Sequence, residues 1–84
     1  MRRAALGLLR TVDNNGAWMR HPDYLRARRY AATLEGDCGR GYVRGLRRAF
    51  YGELFDLPAD HYEMLRRPIY RRGYEAGLRG GRLK

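Results

Sequence analysis

The sequence predicts an all-α fold: one small compact domain, residues 1–84, built from four to five short helices. Three observations carry that expectation. Apolar residues recur at helical spacing along the chain, and no segment alternates with the two-residue period of a strand. Prolines stand where helices should begin, at Pro22, Pro58 and Pro68. An eight-residue pattern is also written twice, as Arg40-Gly41-Tyr42-Val43-Arg44-Gly45-Leu46-Arg47 and as Arg72-Gly73-Tyr74-Glu75-Ala76-Gly77-Leu78-Arg79. A chain of 84 residues has room for one modest core and not for a deep cleft beside it.

Residues 2–12 read as a short amphipathic helix with Ala5, Leu6, Leu8, Leu9 and Val12 on its apolar face. Asp13-Asn14-Asn15-Gly16 ends it as a turn. Trp18, the only tryptophan, is expected to plug the core, with an interface anchor as the alternative. His21-Pro22-Asp23 opens a second helix running to Leu34, whose apolar strip is Tyr24, Ala27, Tyr30, Ala31 and Leu34. Gly36 is expected to end that helix, and Asp37 to cap the next one at once.

The central helix, from Asp37 to about Tyr51, divides into three surfaces at 100° per residue. Arg40, Arg44, Arg47 and Arg48 form a basic stripe. Tyr42, Val43, Leu46, Ala49 and Phe50 form an apolar face opposite it. Gly41 and Gly45 lie on the flank between them. Each glycine costs about 1 kcal/mol of helix propensity relative to Ala, and close approach of another backbone is the usual offset. Gly73 and Gly77 repeat the notch in the last helix, beside Tyr70, Tyr74 and Leu78. The expectation is that the two Gly-x-x-x-Gly helices pack notch to notch, with Tyr42 and Tyr74 closing over the contact. The alternative is that the glycines end helices and the repeat is chance.

Gly52 should fray the central helix. Pro58 begins a short one carrying Tyr62, Met64 and Leu65, and Pro68 stops it and opens the last, ending near Arg79. Residues 80–84 are expected to be a frayed basic tail.

The formal net charge is +9, and all of its eighteen basic residues except Lys84 are arginine. Arginine offers a planar fork for phosphate or carboxylate, although a GC-rich genome would also favour its codons. No stretch approaches the ~20 apolar residues of a membrane span. The apolar run after Arg2 and Arg3 is broken by Arg10 and resembles no complete signal peptide. With one cysteine, Cys38, the reading is a reducing, cytoplasmic location. Cys38 has no base placed beside it, and His21 and His61 lack ligand partners at a metal-binding spacing. The chain has no serine, and its glycines match no phosphate loop. No catalytic residue, metal or cofactor is expected, and the chain is read as a binding protein rather than an enzyme.

The candidate binding residues are Arg40, Arg44, Arg47, Arg48 and Tyr51 on the central helix, with Arg71, Arg72 and Arg79 on the last. Arginines could follow a phosphate backbone while a tyrosine stacks on an unpaired base. Nucleic acid or a ribonucleoprotein is the favoured partner. The alternative is a host protein complex met by a Tyr/Arg surface, since both residue types dominate interface hot spots. Oligomeric state stays open.

Gly73-Tyr74-Glu75-Ala76-Gly77-Leu78-Arg79-Gly80 resembles the Gly-Tyr-x-Ala-Gly-x-x-Gly signature of ribosome modulation factor, and Gly41-Tyr42-Val43-Arg44-Gly45 is similar to that family's second Gly-aromatic helix. The resemblance covers about a quarter of the chain, and it implies a small basic helical protein that binds ribosomal RNA. Small arginine-rich chains with such helices are also similar in type to bacteriophage accessory proteins, including anti-CRISPR-like inhibitors that disable host complexes by direct binding.

Overall fold

The computed structural model describes residues 16–83, which form four α-helices: α1 (His21–Ala31), α2 (Gly36–Tyr51), α3 (Pro58–Arg66) and α4 (Pro68–Arg79). A 3-10 turn, Glu53–Phe55, leads from α2 to α3. No strand occurs among the described residues. The helix expected over residues 2–12 lies outside them.

α1 begins with Pro22 and Asp23 in its first turn and carries Arg28 and Arg29 in its last, each suited to the helix dipole. It stops at Ala31, short of the expected Leu34. The Thr33 hydroxyl and amide both donate to the Tyr30 carbonyl, at 2.7 and 2.9 Å, and the Leu34 amide donates to Ala31 at 3.0 Å. These shorter-range bonds tighten the end of the helix. Gly36, with φ of +64°, turns the chain into α2. The corner is tight enough that a Cβ on Gly39 would lie 3.0 Å from the Leu34 carbonyl oxygen. Asp37 is not the N-cap. Glu35 holds that place without a capping bond, and Asp37 sits inside the first turn, where Arg40 (2.6 Å) and Arg67 (3.4 Å) occupy its carboxylate.

The largest interface joins α2 to α4, and the repeated glycines make it. Gly41 faces the Tyr70 carbonyl and Tyr74 amide, and Gly45 faces the Tyr74 carbonyl and Leu78 amide. The helices therefore run in the same direction. Gly73 in turn faces the Cys38 carbonyl and Tyr42 amide, and Gly77 the Tyr42 carbonyl and Leu46 amide. Cys38 corresponds to Tyr70, Tyr42 to Tyr74 and Leu46 to Leu78 by the repeat's own offset, so the crossing has internal two-fold pseudo-symmetry. At all four glycines a Cβ would come within 3.0 Å of the other helix's backbone. The hydrogen in that direction points instead at a carbonyl oxygen, a weak Cα–H···O contact. The glycines are packing sites, not helix ends.

Parallel neighbours need a return path, and residues 52–67 supply it. α2, with 16 residues, is about 24 Å long. The 3-10 turn packs on α2, and α3 packs on α4. What holds α3 in place is polar. Asp60, only 3% exposed, accepts from Arg44 Nε and Nη2 at 3.1 Å each and from the Tyr70 hydroxyl at 2.7 Å.

α1 covers the outer face of α2. Tyr24, Ala27 and Ala31 pack with Tyr42, Leu46 and Ala76. Tyr42 and Leu46 have no exposed surface, and the Tyr42 hydroxyl is satisfied by the Gly81 carbonyl at 2.9 Å. That bond is one of several that draw residues 80–83 back onto the helices. Gly80 takes a left-handed φ of +67°, its amide returns to Gly77 and the Gly81 amide to Ala76, a Schellman closure. The tail then folds onto α1, where the Leu83 amide donates to the Tyr30 hydroxyl at 2.9 Å.

Candidate nucleic-acid interface

Placement of the arginines follows from which carboxylates the fold brings within reach. Arg40 is held by Asp37, lies 3.9 Å from Glu63 and sits 5.3 Å above the Tyr70 ring. Arg44 is committed to Asp60, and that hydrogen bond raises its pKa further. Burial alone would raise the Asp60 carboxyl, but hydrogen bonds from Arg44 and Tyr70 and the Arg44 charge outweigh it and hold the group below the usual carboxylate range. Arg71 pairs with Glu75 at 3.0 Å. Arg48 lies 5.3 Å over the Trp18 ring and donates to the Gly16 carbonyl at 3.3 Å. Arg47 is half-buried, with no carboxylate partner among the described residues.

The expected stripe is thus divided. Arg40 is paired at the surface with Asp37 and the half-buried Arg44 with Asp60, while Arg47 remains beside Tyr51. Tyr51, 46% exposed, belongs to a cluster in which Phe50 and Phe55 each stand 4.9 Å from its ring. Arg79, in the last turn of α4, and Arg72, seven residues before it, lie elsewhere.

Five arginines, Arg26, Arg29, Arg72, Arg79 and Arg82, line adjoining grooves between the C-terminal half of α4 and α1. Three grooves adjoin there, of 580, 310 and 330 Å³. Arg26, Arg29 and Arg82 line the first beside Tyr30, Arg26 and Arg79 the second beside Trp18, and Arg72, Arg79 and Arg82 the third. Their shared residues make one continuous surface. Its two acids are engaged, Asp23 with Arg26 and Glu75 with Arg71. Arg29, Arg79 and Arg82 have no carboxylate partner among the described residues. Arg82 stacks instead on the Tyr30 ring, 4.8 Å from its centre.

Trp18 stands at the edge of this surface and is 54% exposed, so it is not the core plug expected of it. Residues 18 and 19 close the end of α2: both amides donate to the Ala49 carbonyl, at 2.9 and 3.1 Å. The indole N–H donates to the Leu78 carbonyl at 3.0 Å. The ring is therefore fixed in orientation and still wet, as a stacking surface must be.

Sequence reasoning named Arg72 and Arg79 and missed Arg26, Arg29, Arg82 and Tyr30. One signal was available: Gly80, directly after the last turn of α4, is the glycine of a Schellman closure, which reverses the chain and would have brought Arg82 back toward the domain. Among the described residues no three His, Cys, Asp or Glu side chains gather as metal ligands, and no helix is long and apolar enough to cross a membrane.

Comparison with family models, curated proteins and solved structures finds no match to this chain.

Proposed function

We propose that this chain is a non-enzymatic binding protein that grips the phosphate backbone of single-stranded nucleic acid with the arginine surface at the end of α4. One observation supports the reading above others: Arg29, Arg79 and Arg82 lack carboxylate partners among the described residues, yet they line joined grooves beside a fixed, half-exposed Trp18. Concentrating like charge costs self-repulsion, and a polyanion removes that cost while releasing its own counterions. Trp18 adds a face on which an unpaired base stacks, which a duplex does not offer. The resemblance of residues 72–80 to ribosome modulation factor points toward RNA, in free form or within a ribonucleoprotein.

The test is binding of a short labelled single-stranded RNA, followed by fluorescence anisotropy. Replacing Arg79 and Arg82 together by Gln weakens binding at least ~10-fold, since charged hydrogen bonds are lost. Arg40→Gln changes it little, because Arg40 is already spent on Asp37. Equal losses in the two variants would show a diffuse charge effect and no defined surface. Failure of the parent chain to bind RNA at physiological salt would favour an acidic protein as the partner.

A further inference from the structure

Two carboxylates stand on the arginine surface, and only one of them shares its groove with an aromatic ring. Glu75 lies in the 330 Å³ groove among arginines and Leu83. Asp23 lines the 310 Å³ groove with Trp18, Met19, Arg26, Arg79 and Gly80. Beside a phosphate chain a negative side chain is a cost, so its presence calls for a reason. The first turn of α1 suits an acid, and Arg26, three residues on, pairs with it. Neither fact uses the whole group. Arg26 engages Oδ1, Oδ2 has no partner among the described residues, and the side chain is half-exposed.

The remaining walls of that groove suit a flat, polar-edged ring. Arg48 lies over one face of the indole, 5.3 Å from its centre, and Trp18 is nonetheless 54% exposed. Its N–H bond to the Leu78 carbonyl holds the plane of the ring in place. Met19 packs on Gly80 so closely that a Cβ there would stand 2.9 Å from its Cε, and it gives the groove an apolar wall. Arg79 has no carboxylate partner among the described residues. One groove thus holds an aromatic plane, an apolar wall, a free acceptor and an uncommitted cation.

We propose, resting on the single-stranded nucleic-acid reading above, that this groove selects a guanine base, with Asp23 as the residue that reads it. Guanine alone among the common bases presents two adjacent N–H donors on its Watson–Crick edge, at N1 and the N2 amine. A carboxylate accepts two parallel N–H bonds, as it does from an arginine fork. Oδ2 and the second lone pair of Oδ1 remain for them beside Arg26. Adenine and cytosine set a ring acceptor next to their amine, and uracil sets a carbonyl on each side of its one N–H. A carboxylate repels those acceptors, so Asp23 rejects the other bases as well as favouring guanine. In a duplex the same edge is already paired, so the contact requires an unpaired base. Trp18 stacks on the ring and Arg79 takes the adjoining phosphate.

Fluorescence anisotropy with uridine heptamers carrying guanine, inosine, adenine, cytosine or uracil at the centre tests this. The guanine heptamer is expected to bind at least ~10-fold more tightly than the adenine, cytosine and uracil ones. The inosine heptamer falls between, because inosine keeps N1–H and lacks the N2 amine. Asp23→Asn turns one acceptor into a donor and removes a negative charge from the surface. It abolishes the guanine preference, while the all-uridine heptamer binds as before or more tightly. An Asp23 that serves only the fold would instead weaken every heptamer alike, and that result overturns the proposal. Equal binding of all the heptamers by the parent chain, or a guanine preference that survives Asp23→Asn, also overturns it and leaves the arginine surface standing. A parent chain that binds none of them overturns both readings.

Discussion

Gly45→Ala separates helix propensity from helix packing, because the two act with opposite sign. Alanine is the better helix former by about 1 kcal/mol, so in an exposed helix the change would stabilise. At position 45 the new Cβ would stand 2.9 Å from the Tyr74 carbonyl carbon and nearer still to its oxygen. Ordinary contact begins at 3.4 Å, so the carbonyl carbon alone demands about 0.5 Å of separation between α2 and α4, and the nearer oxygen demands more. The obstacle is helix backbone, which cannot swing aside as a side chain tip does. A gap of that size forfeits about a quarter of the attraction between the atoms it divides, and the gap runs along the largest interface in the fold. Overpacking of this kind costs about 1–3 kcal/mol. Taking about 2 kcal/mol net, the melting temperature falls by roughly 8–16 °C for a domain of this size. The assay is thermal unfolding by circular dichroism, with Gly81→Ala as the control, because a Cβ there meets nothing within 4 Å. A rise in melting temperature for Gly45→Ala, or a fall equal to that of the control, would refute the close-packed crossing.

The polar clamp and the buried tyrosines give further expectations. Arg44→Met leaves the Asp60 carboxylate buried without its cationic partner and costs about 3 kcal/mol by urea unfolding, while Arg44→Met with Asp60→Leu recovers much of it; equal losses in both would mean the ion pair is not what fixes α3. The Asp60 carboxyl lies below its unfolded value, so the stability it lends is complete above about pH 4 and is lost as pH falls through the folded value. Acid unfolding followed by ellipticity should therefore begin below about pH 4, and Asp60→Asn should flatten that limb. Burial raises the hydroxyls of Tyr42, Tyr70 and Tyr74, and at Tyr70 the hydrogen bond to Asp60 adds to it. Protons retained in the folded state make stability fall above about pH 10, as the unfolded chain ionises. Absorbance at alkaline pH should show these three of the seven tyrosines ionising only as the fold is lost.

How much of this is written locally varies element by element. The Gly41/Gly45 and Gly73/Gly77 notches are legible because a missing side chain in a helix records, in the sequence itself, that another backbone passes there. Pro58 and Pro68 fix the start of α3 and the break before α4 because proline acts on its own residue and the one before it. The arginines are not legible in that way. Arg44 and Arg47 share a helix surface, yet only Arg44 meets a carboxylate, and that depends on how α3 rolls when it folds back. The same roll turns Leu65 outward, although its segment reads as an ordinary short helix. Trp18 looks like a core plug by size, but the core at the α2–α4 crossing is filled by Tyr42 and Leu46, and the indole is drawn to the Leu78 carbonyl left open at the end of α4. Arg82 reads from sequence as part of a loose tail because the Tyr42–Gly81 and Tyr30–Leu83 bonds beside it join residues 39 and 53 positions apart.

The most direct measurement of the central claim is the salt dependence of single-stranded RNA binding, followed by the fluorescence of Trp18. With Arg29, Arg79 and Arg82 on phosphates, the logarithm of the binding constant should fall against the logarithm of salt with a slope near 2, at about 0.7 per contact. Replacing Arg79 and Arg82 by Gln should lower the slope to about 0.7. Trp18 emission should be quenched on binding, because the ring stands at the edge of the grooves those arginines line. A slope unchanged by the double substitution, or binding that leaves Trp18 emission untouched, would contradict the assignment of this surface to nucleic acid.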